Sequence, residues 1–205
     1  MNIRAKQAHR TLAGFIGLFL AVHFATHLAA LLGIAAQDSA LQAGRLAYQF
    51  PLIEIALVAA LMAQIGLGLR LLGQIRKRPR KGFWHAVQFA SACYLGLFIV
   101  LHTTAAVMTR LVIGLDTNFY WAAGTLVLAP LKYGFAPYYL IAVTALVSHI
   151  IAALHFRGSR PWHKPALLIG PLLGSLIVMA YAGAFYAVDL PTAYRDYFGA
   201  FPGVG

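Results

Sequence analysis

Five apolar runs, at residues 12–34, 51–72, 84–112, 137–156 and 165–188, set what this chain can become. Each is long enough to cross the roughly 30 Å hydrocarbon core of a bilayer as a helix, which takes about 20 residues at 1.5 Å per residue. The connections between them are short. The reading is therefore an all-α integral membrane protein, a single transmembrane domain over residues 1–205 with five spanning helices. With 61% hydrophobic and 10% charged residues, the chain cannot cover a soluble surface. Ten-residue stretches of alternating polarity, the mark of a membrane β-barrel, do not occur in the sequence.

The formal net charge of +11 sits in the connections rather than along one continuous face, so it speaks for topology and against nucleic acid. Arg4, Lys6, Arg10, Arg70, Arg76, Lys77, Arg78, Arg80, Lys81, Arg157, Arg160 and Lys164 fall on one side. The other side has Arg45, Arg110, Lys132 and Arg195, with Asp38, Asp116, Asp189 and Asp196. The positive-inside rule then predicts a cytoplasmic N-terminus and a periplasmic C-terminus, in a bacterial inner membrane. The basic stretch 76–81 is expected to anchor this topology and contact anionic lipid, with docking of a cytoplasmic subunit as the alternative. The first run is too long for a signal-peptide core and is expected to be retained. The one cysteine, Cys93, excludes a disulfide within the chain and is read as a packing residue.

Polar residues inside the runs carry the chemistry. A histidine such as His102, with an unsatisfied ring nitrogen in hydrocarbon, costs several kcal/mol, so it must find a partner. His23 and His27 lie one turn apart on one face of the first run. Gly14 and Gly17 leave a groove there, suited to close helix packing or to the flat face of a macrocycle. In the second run Glu54 stands near the outer boundary, as an interfacial carboxylate or a proton-handling group, and Gln64 lies near mid-depth. The fourth run carries His149 slightly inward of centre and His155 near its inner end. Depth counting places His23 at the middle of its span, His27 and His102 in the outer half, and Gln64 facing His149 in the inner half. Of the outer connections, 35–50 reads as a short polar link and 114–136 as an aromatic segment against the headgroups. The fifth run reads as a closing or lipid-facing helix.

Histidines facing one another from different helices can hold haem b, two axial imidazoles per iron. Zinc would need more nitrogen, sulfur or carboxylate ligands at one depth. Imidazoles that simply bond neighbouring helices are the other reading of the same residues.

The stretches Gly17-Leu-Phe-Leu-Ala-Val-His23, Glu54 with Gly68, Trp84 through Gln88, Ser91 and Phe98 to His102, and Tyr139 with His149 resemble the five-span, single-chain cytochrome b anchor of succinate dehydrogenases and fumarate reductases. The resemblance covers residues 11–156. It implies that the first four spans form a haem-binding four-helix bundle, with His23 and His102 on the outer haem and His149 as one ligand of the inner one. At the family's remaining ligand position this chain has Gln64. The inner haem is then absent, held through His149 alone, or completed by another histidine such as His155 or His27. One haem b is expected, with the second in doubt. The resemblance also implies quinone as substrate, with Glu54, Gln88 and Ser91 at its quinone and proton positions, and cytoplasmic flavoprotein and iron–sulfur subunits as partners. With no dinucleotide glycine fingerprint and one cysteine, the chain would be the electron-carrying anchor and not the dehydrogenase. The alternative is a haem-free structural or assembly subunit of a larger membrane complex. A transporter fits less well, because no inverted repeat is evident.

Overall fold

A backbone in hydrocarbon has no hydrogen-bond partner but itself, so long apolar runs close their bonds as helices. The computed structural model describes residues 3–76 and 82–204, and among these the only regular secondary structure is helical. Five segments are long and apolar enough to cross a membrane: Ile3–Leu32, Pro51–Gly73, Phe83–Ile113, Leu131–His155 and His163–Tyr181. The expectation of an all-α membrane protein with five spans holds. Residues 77–81 of the expected basic anchor lie outside the described residues. Below, the inner half is the half that holds the N-terminus.

The helices are α1 (Ile3–Ala29, continued by a 3-10 turn Ala30–Leu32), α2 (Ile34–Tyr48), α3 (Pro51–Arg76) and α4 (Phe83–Met108, continued by a π turn Thr109–Ile113). They are followed by α5 (Phe119–Val127), α6 (Leu131–His155), α7 (His163–Ala166), α8 (Ile169–Tyr181) and α9 (Thr192–Gly199). The spanning helices α1, α3, α4, α6 and α8 pack in chain order, and α8 returns to touch α1. No extended packing joins α1 to α4 or α1 to α6. Those opposed helices meet only through side chains, and this is what lets polar groups gather between them.

Two apolar clusters hold the ring. Ile16, Leu57, Ala60 and Leu61, with Phe19 and Ile99 against them, join α1, α3 and α4. At the outer end Ala30, Phe119, Ala123, Leu126, Val143, Ile177, Ala180 and Tyr181 form the larger core. The α6–α8 contact rests on Gly170 and Gly174, spaced four apart. A Cβ at Gly170 would lie 2.8 Å from the Thr144 Cα, and one at Gly174 3.0 Å from the Leu140 side chain. Small residues at this spacing let two membrane helices approach closely. The fifth span is therefore a packed, closing helix on this face.

Five features differ from the sequence expectations. The first helix starts nine residues earlier than the apolar run, because Arg4, Lys6, Gln7, His9 and Arg10 are good or tolerated helix formers even though they are polar. Residues 34–48 form a helix and not a plain link: Gly33, at φ 117°, turns the chain so that α2 folds back along α1. Gly44 fits there against Val22 and Tyr48, where a Cβ would come within 3.1 and 2.9 Å. Residues 119–127 do not lie on the surface. Asn118 caps α5 through the Tyr120 amide at 3.0 Å, and Phe119, Ala123 and Leu126 are buried in the outer core. Finally, Cys93 is exposed, and a Cβ at Gly14 or Gly17 would touch nothing within 4 Å, so neither serves close helix packing.

Candidate functional site

Counted from the midpoints of Ile3–Leu32 and Phe83–Ile113, His23 of α1 and His102 of α4 lie about 8 Å and about 6 Å toward the outer end of their helices, so the two stand side by side. The two imidazoles face each other across the bundle, ring centroids 6.2 Å apart with planes at 69°. Each ring has an aromatic support one turn away on its own helix: Phe19 stacks on His23 at 5.3 Å, and Phe98 on His102 at 5.1 Å and 11°. Trp121 and Tyr139 close the far side of His102, at 6.2 and 6.5 Å.

His27 links this pair to the outer core. Its Nε2 lies 3.1 Å from the Nε2 of His23, and its Nδ1 lies 2.8 Å from the hydroxyl of Tyr181 on α8. Among the described residues neither ring nitrogen of His102 makes a hydrogen bond. Trp121 and Tyr181 escaped the sequence reading. The aromatic triplet Phe119-Tyr120-Trp121 was the available signal, but it was assigned to the headgroups because α5 was not foreseen.

The inner level is built on His149. Its Nδ1 lies 3.2 Å from Ser91 Oγ on α4, and Ser91 in turn donates to the Gln88 carbonyl at 3.2 Å. Ser91 Oγ thus lies between the Gln88 carbonyl and Nδ1 of His149, and which of Oγ and Nδ1 donates depends on the imidazole tautomer. The expected meeting of Gln64 with His149 is not made as a hydrogen bond. Gln64 Oε1 is buried without a hydrogen-bond partner among the described residues. One turn further along α3, Gly68 faces His9: a Cβ there would lie 3.6 Å from His9 Nε2. His9 was missed because the apolar run began after it. The signal was its spacing of 14 residues from His23, close to four helical turns.

The other named residues are accounted for. His155 stacks on Trp84 at 4.3 Å and 18° at the inner mouth, where both line a cavity of about 310 Å³ with Arg160 and Lys164. Its Nδ1 is 3.4 Å from that of His163. Glu54 is ion-paired with Arg110, which the π turn brings to it from α4. At the outer mouth Arg45 of α2 bonds both oxygens of Asp116 at 2.5 and 3.2 Å, and Tyr194 of α9 donates to the Asp116 carbonyl at 2.9 Å. Burial, with the Asp116 charge acting in the same direction, pushes the Tyr194 phenol up to about 12, so it stays a donor at neutral pH.

The Glu54–Arg110 pair is about one-quarter exposed on each side, which places it between a surface pair and a buried one. Glu54→Gln is expected to cost about 1–2 kcal/mol in equilibrium unfolding in detergent, because it leaves Arg110 partly buried and unpaired. Adding Arg110→Met should return part of that loss. If the two costs simply add, the pair is not coupled.

Among the described residues no three His, Cys, Asp or Glu side chains converge to hold a bare metal ion. A haem iron asks less, two axial ligands. Two metal–nitrogen bonds of about 2.0–2.1 Å plus the two ring half-widths bring the imidazole centroids to about 6 Å. His23 and His102 stand at 6.2 Å. Two facing imidazoles are the donor set that such a group would take, and Nε2 of His23 lies 3.1 Å from that of His27. Comparison with family models, with curated proteins and with solved structures finds no match to this chain.

Proposed function

We propose that this chain is a membrane-embedded cytochrome b-like subunit in which His23 and His102 are the axial ligands of a haem b. The observation that carries the reading is His102, half-buried between helices, stacked on Phe98, facing the His23 imidazole, and with no hydrogen bond to either nitrogen among the described residues. Axial ligation would give such a nitrogen a partner. When bound, haem b supplies one-electron transfer. The chain's own residues orient the imidazoles, through Phe19 and Phe98, and exclude water from between the helices, through Trp121 and Tyr139. His27 offers its Nε2 beside that of His23 and is the alternative ligand on α1.

The resemblance to the succinate dehydrogenase and fumarate reductase anchors extends this to a role. The chain would pass electrons between cytoplasmic flavoprotein and iron–sulfur subunits and quinone, in a bacterial inner membrane with its N-terminus cytoplasmic. The charge distribution supports that orientation. A rival reading, a haem-free structural or assembly subunit, draws on the His23–His27–Tyr181 chain, in which imidazoles are satisfied without iron.

The reduced-minus-oxidised absorbance spectrum of the detergent-purified chain, with haem b quantified per polypeptide, separates the two. The cytochrome reading expects at least about one haem per chain. A colourless, folded protein would overturn it in favour of the structural subunit.

A further inference from the structure

Three spans have their inner ends at one place. Helix α4 begins at Phe83, α6 ends at His155, and the span made of α7 and α8 begins at His163. Trp84, His155, Ser159, Arg160, Pro161 and Lys164 line the cavity of about 310 Å³ found there. Its size is at the lower end of the roughly 300–1,000 Å³ of small-ligand sites. Trp84 and His155 make one wall, stacked at 4.3 Å and 18°. The turn that makes the other wall is held from within. Buried His163 accepts from the Arg160 amide at Nδ1, 3.2 Å away, and donates its own amide to the Arg160 carbonyl at 3.2 Å. Pro161 fixes one more backbone angle between them. The backbone that carries Arg160 and Lys164 is therefore set before a ligand arrives, which lowers the ordering cost of binding.

The charge at this cavity has one sign. Arg160 and Lys164 make no ion pair among the described residues. The five acidic residues of the chain, Asp38, Glu54, Asp116, Asp189 and Asp196, all belong to outer segments, so no carboxylate of the chain neutralises this end. Ser159 adds a hydroxyl without a hydrogen bond among the described residues. A guanidinium fork, an ammonium and a hydroxyl together suit a phosphate group. The depth says which phosphate. Phe83, Phe156 and Trp162 are exposed around the cavity, and aromatic side chains at the ends of spans lie at the level of the lipid headgroups. A phospholipid carries its phosphate at that level and its acyl chains along apolar helix faces such as those of Leu154 and Leu168, which are exposed.

We infer that the inner-mouth cavity is a headgroup site for an anionic phospholipid, with Arg160 and Lys164 on its phosphate, Ser159 as a further donor and the Trp84–His155 stack as the opposite wall. Basic pockets between membrane helices recognise lipids of this kind. The site contains neither His23 nor His102, so it stands or falls independently of the cytochrome reading.

The test is native mass spectrometry of the full chain, delipidated in a non-ionic detergent and titrated with phosphatidylglycerol, phosphatidylcholine or inorganic phosphate. The wild-type chain is expected to bind one phosphatidylglycerol on the order of tenfold more tightly than phosphatidylcholine. Arg160→Gln combined with Lys164→Gln should bring the two lipids to equal affinity. Arg4→Gln combined with Lys6→Gln removes the same charge from the inner end outside the cavity and should keep the preference. Exchanging the two cations, Arg160→Lys with Lys164→Arg, should retain most of it, an outcome that a misfolded turn would not give. An unchanged preference in the Arg160→Gln, Lys164→Gln chain would overturn the site, and so would an equal loss in the Arg4→Gln, Lys6→Gln chain, which would assign the lipid to general surface charge. Inorganic phosphate that binds the wild-type chain and is not displaced by phosphatidylglycerol would overturn the assignment to a lipid.

Discussion

Replacing His102 by leucine is expected to abolish the outer haem signal, a loss of about one haem per chain, while the helices stay assembled. Leucine keeps an apolar body against Phe98 and Trp121, so the packing around position 102 is largely retained. It also removes two ring nitrogens that have no hydrogen-bond partner among the described residues, so no hydrogen bond is lost. The variant therefore separates ligand loss from misfolding: absorbance falls and stability does not. Two companions decide the ligand on α1. His23→Leu is expected to behave like His102→Leu. His27→Leu should keep the haem and lose the links to Tyr181 and to His23. The reverse pattern would make His27 the ligand, and full haem retention in His102→Leu would sink the outer site.

Gly124→Ala is expected to be the most damaging single methyl addition in the outer core. A Cβ there would sit 2.0 and 2.4 Å from two ring carbons of Phe198, which is itself 2% exposed and has no room to retreat. Overpacking of this kind costs about 1–3 kcal/mol, and the depth of this clash puts the change at or above the upper end. Phe198→Ala on its own should cost about 3–5 kcal/mol through the cavity it leaves. In the double variant the new methyl faces that cavity, so the combined loss should fall well short of the sum. Equilibrium unfolding in detergent checks the cycle. Additive losses would mean that α9 does not seat on α5 as described.

The outer histidines and the outer core are coupled through α8. Tyr181 ends α8, stacks on Phe119 of α5 at 4.7 Å, and reaches His27 with its hydroxyl. Loosening α5 is thus expected to disturb the imidazole chain as well as the core.

The number of spans and their helical character were legible in the amino-acid sequence, because apolar length and the need to satisfy a backbone in hydrocarbon are local properties. So was the residue type of the candidate site: histidines in such surroundings require a partner, which singles out His23, His27, His102 and His149 from sequence alone. What the sequence could not settle were matters of direction and depth. Where α1 begins depends on whether polar residues such as His9 are drawn into the helix, and in the structure His9 packs beside Gly68 of α3. Whether α2 and α5 are links or packed helices depends on neighbours far along the chain, since Gly44 meets α1 and Gly124 meets Phe198 of α9. The contact of His149 with Ser91 depends on α4 and α6 standing side by side. Periodicity tells which face a residue occupies but not what stands across from it. The sequence by itself determined a five-helix membrane chain rich in buried imidazoles, and the tertiary structure decided which of them face each other.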